Sequence, residues 1–278
     1  MGRGDHVSAR VAYLHRRSAV ATGALLAWLV LCLPAHAQFG AGPPPPPANP
    51  RAAAPLDLSG YWVSIVTEDW RYRMLTPAKG DFPGVPLNAA GRALANAWDP
   101  VADEARGEQC KSYGAPAIMR VPTRLHIVWV DDRTLRIDTD AGEQTRLLHF
   151  YGTMPGTEPP SWQGYSVASW EGMRVGPPVT TVNTNINAAR RPSAEGYLKV
   201  ITGALRAGYL RKNGVPYSAA ARVEEYFDSF KEPNGDTWLI VTSVVTDPQY
   251  LDGSFITSSQ FKKEPDAARW HPAPCEAR

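Results

Sequence analysis

Three strand-length segments, Arg124–Val130, Thr134–Asp138 and Thr145–Phe150, follow one another with only short Asp- and Gly-bearing turns between them, built on Asp131-Asp132-Arg133 and Asp140-Ala141-Gly142-Glu143. A parallel connection needs a crossover of a dozen or more residues, so segments this close fold back as antiparallel hairpins. A second meander lies near the end of the chain: Arg222–Lys231, the turn Asn234-Gly235-Asp236, Thr237–Thr246 and Phe255–Lys263. Further strands are expected within Leu56–Val66, within Pro160–Gly172, over Met173–Thr184 and at Tyr197–Thr202. No 10 to 15-residue helical pattern separates the strands of the first meander, which argues against a parallel α/β sheet. About ten short strands at near-regular spacing predict an all-β domain, an antiparallel barrel or strongly curved sandwich. Asn88–Trp98, rich in helix formers, supplies one short covering helix, with Leu87, Leu94 and Trp98 expected on its buried face and Asp99-Pro100 ending it.

Residues 1–37 read as a signal peptide: Arg10, Arg16 and Arg17 precede an apolar run from Ala19 to Leu33, and Ala35-His36-Ala37 places cleavage before Gln38. The run is shorter than the roughly 18 to 20 residues of a membrane span, so no stable anchor is expected after cleavage and the product is periplasmic or secreted. Arg16-Arg17 fits an ordinary basic leader better than a twin-arginine signal, which wants a bulky apolar residue two places on. Four of the 29 basic and one of the 27 acidic residues lie in this leader, which leaves a near-neutral remainder with no basic stripe for nucleic acid. Residues 38–55, with the run Pro43–Pro47, read as a semi-rigid linker, and 56–276 as a single domain. Cys110 and Cys275 are an even pair in an oxidising compartment and read as one disulfide, with two free thiols as the alternative.

Chemistry is harder to find. Motifs for serine hydrolases, phosphate loops and zinc proteases are missing from the sequence, and neither the histidines nor the cysteines have metal-ligand spacing, so the expectation is a domain with no cofactor and no metal. Alternation along Tyr165–Glu171 puts Tyr165, Val167, Ser169 and Glu171 on one face, and Ser166, Ala168 and Trp170 on the other. Glu225 likewise shares a face with Val223 and Phe227. A carboxylate among apolar neighbours holds its proton more tightly and suits general acid or base work, whereas pairing with Arg120, Arg146 or Arg206 makes it structural. The segment Arg206–Ser218, basic and aromatic, reads as an irregular loop that either covers a barrel mouth or is a solvated connection.

Gly60-Tyr61-Trp62 resembles the Gly-x-Trp that opens lipocalin barrels, which implies a tryptophan closing the barrel floor. Over residues 57–276 the chain also resembles a family of exported bacterial proteins of unassigned function. The matching residues are Asp99-Pro100, Cys110 with Gly114-Ala115-Pro116 and Met119, Trp162-Gln163-Gly164-Tyr165-Ser166, Trp170-Glu171-Gly172, Glu225-Tyr226-Phe227, Asp247-Pro248, Phe261-Lys262-Lys263 and Cys275. That resemblance implies a β-rich exported domain and supports the Cys110–Cys275 pairing. The family's Gly-Arg-x-His-Pro segment is replaced here by Tyr151–Pro159, which has no His.

Two functions follow as expectations. The first is a barrel that binds a small, mostly apolar molecule, lined by Trp62, Arg120, His126, Trp129, Tyr165, Trp170, Arg206 and Arg211. The alternative is a lyase, hydratase or isomerase that needs no cofactor, with Glu171 or Glu225 as acid or base and His149 or Tyr209 as partner. A filled interior would remove the cavity that both require and leave a structural or envelope-interaction protein.

Overall fold

The computed structural model describes residues 49–154, 159–172 and 196–278. Nine strands close into a barrel: β1 (Gly60–Ile65), β2 (Arg124–Trp129), β3 (Thr134–Thr139), β4 (Thr145–Phe150), β5 (Tyr165–Glu171), β6 (Tyr197–Gly203), β9 (Arg222–Lys231), β10 (Thr237–Thr246) and β11 (Phe255–Glu264). Two short strands, β7 (Gly208–Arg211) and β8 (Val215–Tyr217), form a separate ribbon. The expected strand at Met173–Thr184 lies outside the described residues.

Going round the barrel, the strands are ordered β1-β11-β10-β9-β6-β5-β4-β3-β2, and β2 pairs with β1 to close it. Every pair is antiparallel except β4 with β5, where Leu148 is opposite Ser166 and Phe150 opposite Ala168. The expectation of an antiparallel barrel is therefore corrected at one seam. Strands that alternate direction cannot close a ring of odd number without one parallel pair, and nine is odd. This count also departs from the eight strands of a lipocalin.

Alternation fills the interior. Leu125, Ile127, Leu135, Ile137, Leu148, Leu198, Val200, Phe227, Leu239, Val241 and Phe261 are buried and belong to one cluster with Trp62. Trp62 Nε1 donates to the Leu58 carbonyl at 2.9 Å. The floor is closed by other rings: Phe150 lies 5.2 Å from Trp129 and 5.2 Å from Trp170, and Trp170 Nε1 donates to the Pro50 carbonyl at 2.8 Å. Trp62 sits deeper, opposite Leu125. Folded contacts therefore start upstream of Leu56, since Asn49 and Arg51 also bond to Asp132.

The other mouth, where β6 and β10 end and β9 and β11 begin, carries a cover. It contains three short helices, α1 (Trp70–Arg73), α2 (Ala89–Ala97) and α3 (Pro100–Ala105), two 3-10 turns (Gln109–Tyr113 and Ile118–Arg120) and the β7–β8 ribbon. Leu87, Ala95, Leu210, Val215 and Tyr217 pack there against Val223, Val245 and Phe255 from the strand ends. In α2, Asn88 Oδ1 caps the first turn by accepting from Gly91 N. Its buried residues are Gly91 and Ala95, while Leu94 is exposed, contrary to the spacing-based expectation. The helix backbone comes so close to Tyr250 that a Cβ on Gly91 would stand 2.6 Å from the Tyr250 carbonyl oxygen, so small residues face inward. Asp99 ends this helix as expected, and its carboxylate then caps α3, which has Pro100 in its first turn.

Arg206–Ser218 is a packed ribbon rather than an irregular loop, with Leu210, Val215 and Tyr217 almost fully buried. Its turn is anchored by Asn213 Nδ2, which donates to the carbonyls of Ala78 and Asp81 at 3.0 and 2.9 Å. Gly214 there has φ +80°, and a Cβ on it would stand 2.1 Å from the Trp98 ring. Cys110 and Cys275 are joined by a disulfide that ties the cover to the C-terminal tail. No helix among the described residues is long and apolar enough to cross a membrane.

Candidate functional site

Inside the barrel, one layer below the cover, four polar side chains interrupt the apolar fill. Arg146 on β4 forms a two-pronged ion pair with Glu225 on β9, one arm at 3.2 Å through Nη1 and the other through Nη2. Arg146 Nε donates to Ser166 Oγ at 2.9 Å and Nη2 to Thr202 Oγ1 at 2.6 Å, and those two hydroxyls bond each other at 2.8 Å. All four residues are buried. A buried charge is tolerable only when paired and bonded, and this clasp meets that condition on every prong. Of the three arginines considered as partners for a buried carboxylate, Arg146 is the one Glu225 meets.

Glu171 is on the other side of the wall. Its face of β5 points outward, where its carboxylate accepts from Tyr197 Oη at 3.3 Å and lies 3.9 Å from Lys199 Nζ. Glu171 and Glu225 do not meet, because opposite parity on the sheet places them on opposite surfaces. His149 and Tyr165 also share the outer face and stack at 4.6 Å, and His126 stacks on Tyr61 at 4.3 Å. None of these is within reach of the clasp. Trp129 and Trp170 serve the floor.

The largest concentration of chemistry lies outside the barrel, in the cover. A cleft of about 350 Å³ opens between α2, α3 and the ribbon, walled by Leu94, Trp98, Tyr209, Tyr217 and Tyr250. Asp103, from α3, forms its polar side. Its buried carboxylate accepts from Arg106 Nη2 at 2.6 Å, Lys111 Nζ at 2.9 Å and Tyr209 Oη at 2.7 Å. Glu108 extends the network by pairing with Lys111 at 2.6 Å, Arg206 at 2.8 Å and Arg106 at 3.2 Å. Lys111, aided by Arg106 and Arg206, holds the Glu108 carboxyl down at about 2. Burial, then the neighbouring Asp103 carboxylate, pushes the Tyr209 hydroxyl well above its ordinary value, so it stays a neutral donor. Trp98 and Tyr217 line this cleft, and behind its surface Trp98 Nε1 and Tyr217 Oη are buried without a hydrogen-bond partner among the described residues, the hydroxyl packed against Gly114 and Gly208. Burial alone raises the Tyr217 hydroxyl.

Two of the arginines expected to bind ligand, Arg120 and Arg211, converge with Arg73 around a second, smaller cavity. Arg206 instead stacks over Trp162 at 4.4 Å and serves the Glu108 network. Sequence reasoning missed Asp103, Glu108 and Lys111, as well as Arg73. Asp103 had a readable signal: Asp99-Pro100 followed by Asp103 and Glu104 has the N-cap, first-turn proline and acidic residues of a second helix start, whereas Glu108 and Lys111 lie beyond it. Nothing in the sequence marks Arg73 for the second cavity. Among the described residues no group of three or more His, Cys, Asp or Glu side chains converges as a metal site would.

No protein-family model, curated protein or solved structure matches the chain.

Proposed function

We propose that this is an exported binding barrel whose ligand, a small and largely apolar molecule with a polar end, sits in the cleft of the cover rather than inside the barrel. The single observation that carries this reading is the cleft itself: aromatic walls with two unpartnered buried groups, Trp98 Nε1 and Tyr217 Oη, beside the Asp103 network. Small-molecule sites combine an apolar wall with a few placed polar groups, and an orphaned buried donor costs free energy that a ligand acceptor would recover. The packed interior argues against an internal seat. General acid or base chemistry at Glu225 loses its support because the carboxylate is locked by Arg146, and at Glu171 because it faces outward. The signal-peptide-like pattern of residues 1–37, the disulfide and the resemblance to exported bacterial proteins support export.

The test is native mass spectrometry of the protein exported by a bacterial host and purified gently. A small-molecule mass should travel with the wild type and be lost from Tyr209→Ala and Leu94→Arg, which alter the wall from opposite sides. Retention of that mass by both variants would place the ligand elsewhere, and a bare protein that binds no apolar probe would end the proposal.

A further inference from the structure

We infer that a second site, distinct from the cleft, holds a single oxyanion group, a phosphate or a carboxylate, between Arg73, Arg120 and Arg211. The three come from separate pieces of the cover: α1, the 3-10 turn Ile118–Arg120, and β7. Their exposures are 5%, 7% and 5%, so each guanidinium has been taken out of water. All three line one cavity of about 20 Å³, together with Ser112 and Lys212. That is room for one or two water-sized atoms, enough to admit the oxygen edge of an oxyanion and too little for a larger apolar body.

The pairing of these charges is incomplete. Arg120 Nη2 reaches Asp69 at 3.1 Å, and Arg73 Nε donates to the Arg120 carbonyl at 2.9 Å. Arg73 Nη1 and both Nε and Nη1 of Arg211 have no hydrogen-bond partner among the described residues. Arg211 does lie over the Tyr72 ring at 4.5 Å, and Arg120 over Phe255 at 5.6 Å. Stacking of this kind stabilises a guanidinium through its flat face and leaves the N–H edge unsatisfied. Desolvation, then the Arg120 charge, lowers the proton affinity of both Arg73 and Arg211. Guanidinium remains protonated in proteins, so the molecule relieves this by admitting a counter-charge. Unpartnered N–H groups from two forks, with Lys212 and Ser112 at the rim, form a donor set for oxygens that carry negative charge.

The test is thermal unfolding of the full exported protein in a zwitterionic buffer, with inorganic phosphate, acetate or chloride added at matched ionic strength. Phosphate or acetate should raise Tm beyond chloride in the wild type. In Arg211→Met the apparent affinity for that anion should weaken by about tenfold or more, as expected when a charge-assisted fork is lost. Should Arg211→Met fail to fold by circular dichroism, Arg211→Lys, which keeps the charge and removes the fork, carries the same comparison. Stabilisation by phosphate alone assigns a tetrahedral anion, and stabilisation by both assigns oxyanions generally. Equal effects of all three salts, or an unchanged phosphate response in the variant, would overturn the inference and leave the arginines as hydrated stacking groups. The result is independent of the cleft, whose aromatic walls these substitutions do not touch.

Discussion

The barrel interior and its cover both bury charge, and they do so in opposite ways. Inside, Arg146 and Glu225 satisfy each other, with Ser166 and Thr202 taking the remaining prongs. In the cover, the arginine trio faces one directly bonded carboxylate, Asp69, and the cleft wall holds two orphaned polar groups. A closed polar network fixes the register of the strands that contribute to it, here β4, β5, β6 and β9, and asks nothing of solvent or ligand. An open one remains costly until something else completes it. This contrast is why the interior clasp reads as architecture and why both proposed binding sites lie in the cover.

The largest expected effect comes from untying the cover. The Cys110–Cys275 link spans a sequence separation of 165, and on the chain-entropy model its removal costs on the order of 5 kcal/mol. Urea unfolding of Cys110→Ser/Cys275→Ser should show that loss, and an unchanged midpoint would mean the cover is held by packing alone. Next comes the clasp. Glu225→Ala leaves Arg146 buried without its counter-charge, which costs about 3–5 kcal/mol, whereas Arg146→Met/Glu225→Leu removes both charges and should lie close to wild type. Were the two variants equally unstable, the pair would have a role beyond mutual compensation. A smaller effect tests the cover's acidic network. Glu108 has its carboxyl depressed from 4.5 to about 2, so its stabilising contribution is complete above pH 4.5 and is lost as pH falls toward 2. Glu108→Gln should flatten the acid limb of stability against pH in that window by about 1 kcal/mol, since these ion pairs are partly solvated. An identical acid limb in the variant would remove Glu108 from the network's energetics.

Much of the barrel was legible beforehand. Strands β2, β4, β9 and β10 fall where alternation and turn residues placed them, and Val223, Glu225 and Phe227 do share an inward face. Alternation, however, says which residues share a face and not which face is inside. On β5 the side with Tyr165, Val167 and Glu171 carries the expected site, yet the side with Ser166, Ala168 and Trp170 points inward, where Ala168 and Trp170 join the core and Ser166 accepts from Arg146. The local pattern of Arg206–Ser218 is that of a loop, because its buried state depends on α2 and on the docking of Asn213, neither of which is a local property.

What the sequence determined by itself was local: strand positions from period-two patterning, hairpins from Asp and Gly turns, the α2 helix from its helix formers and the Asp99-Pro100 stop, and an even pair of cysteines. What only the tertiary structure decided was closure and convergence. The odd count of nine barrel strands requires a parallel pair, and the tertiary contacts put it at β4–β5. Glu225 is matched with Arg146 across 79 residues, and Arg73, Arg120 and Arg211 meet from three separate elements. Each of these depends on which long-range contacts a folded chain makes at once, and local pattern carries no record of that.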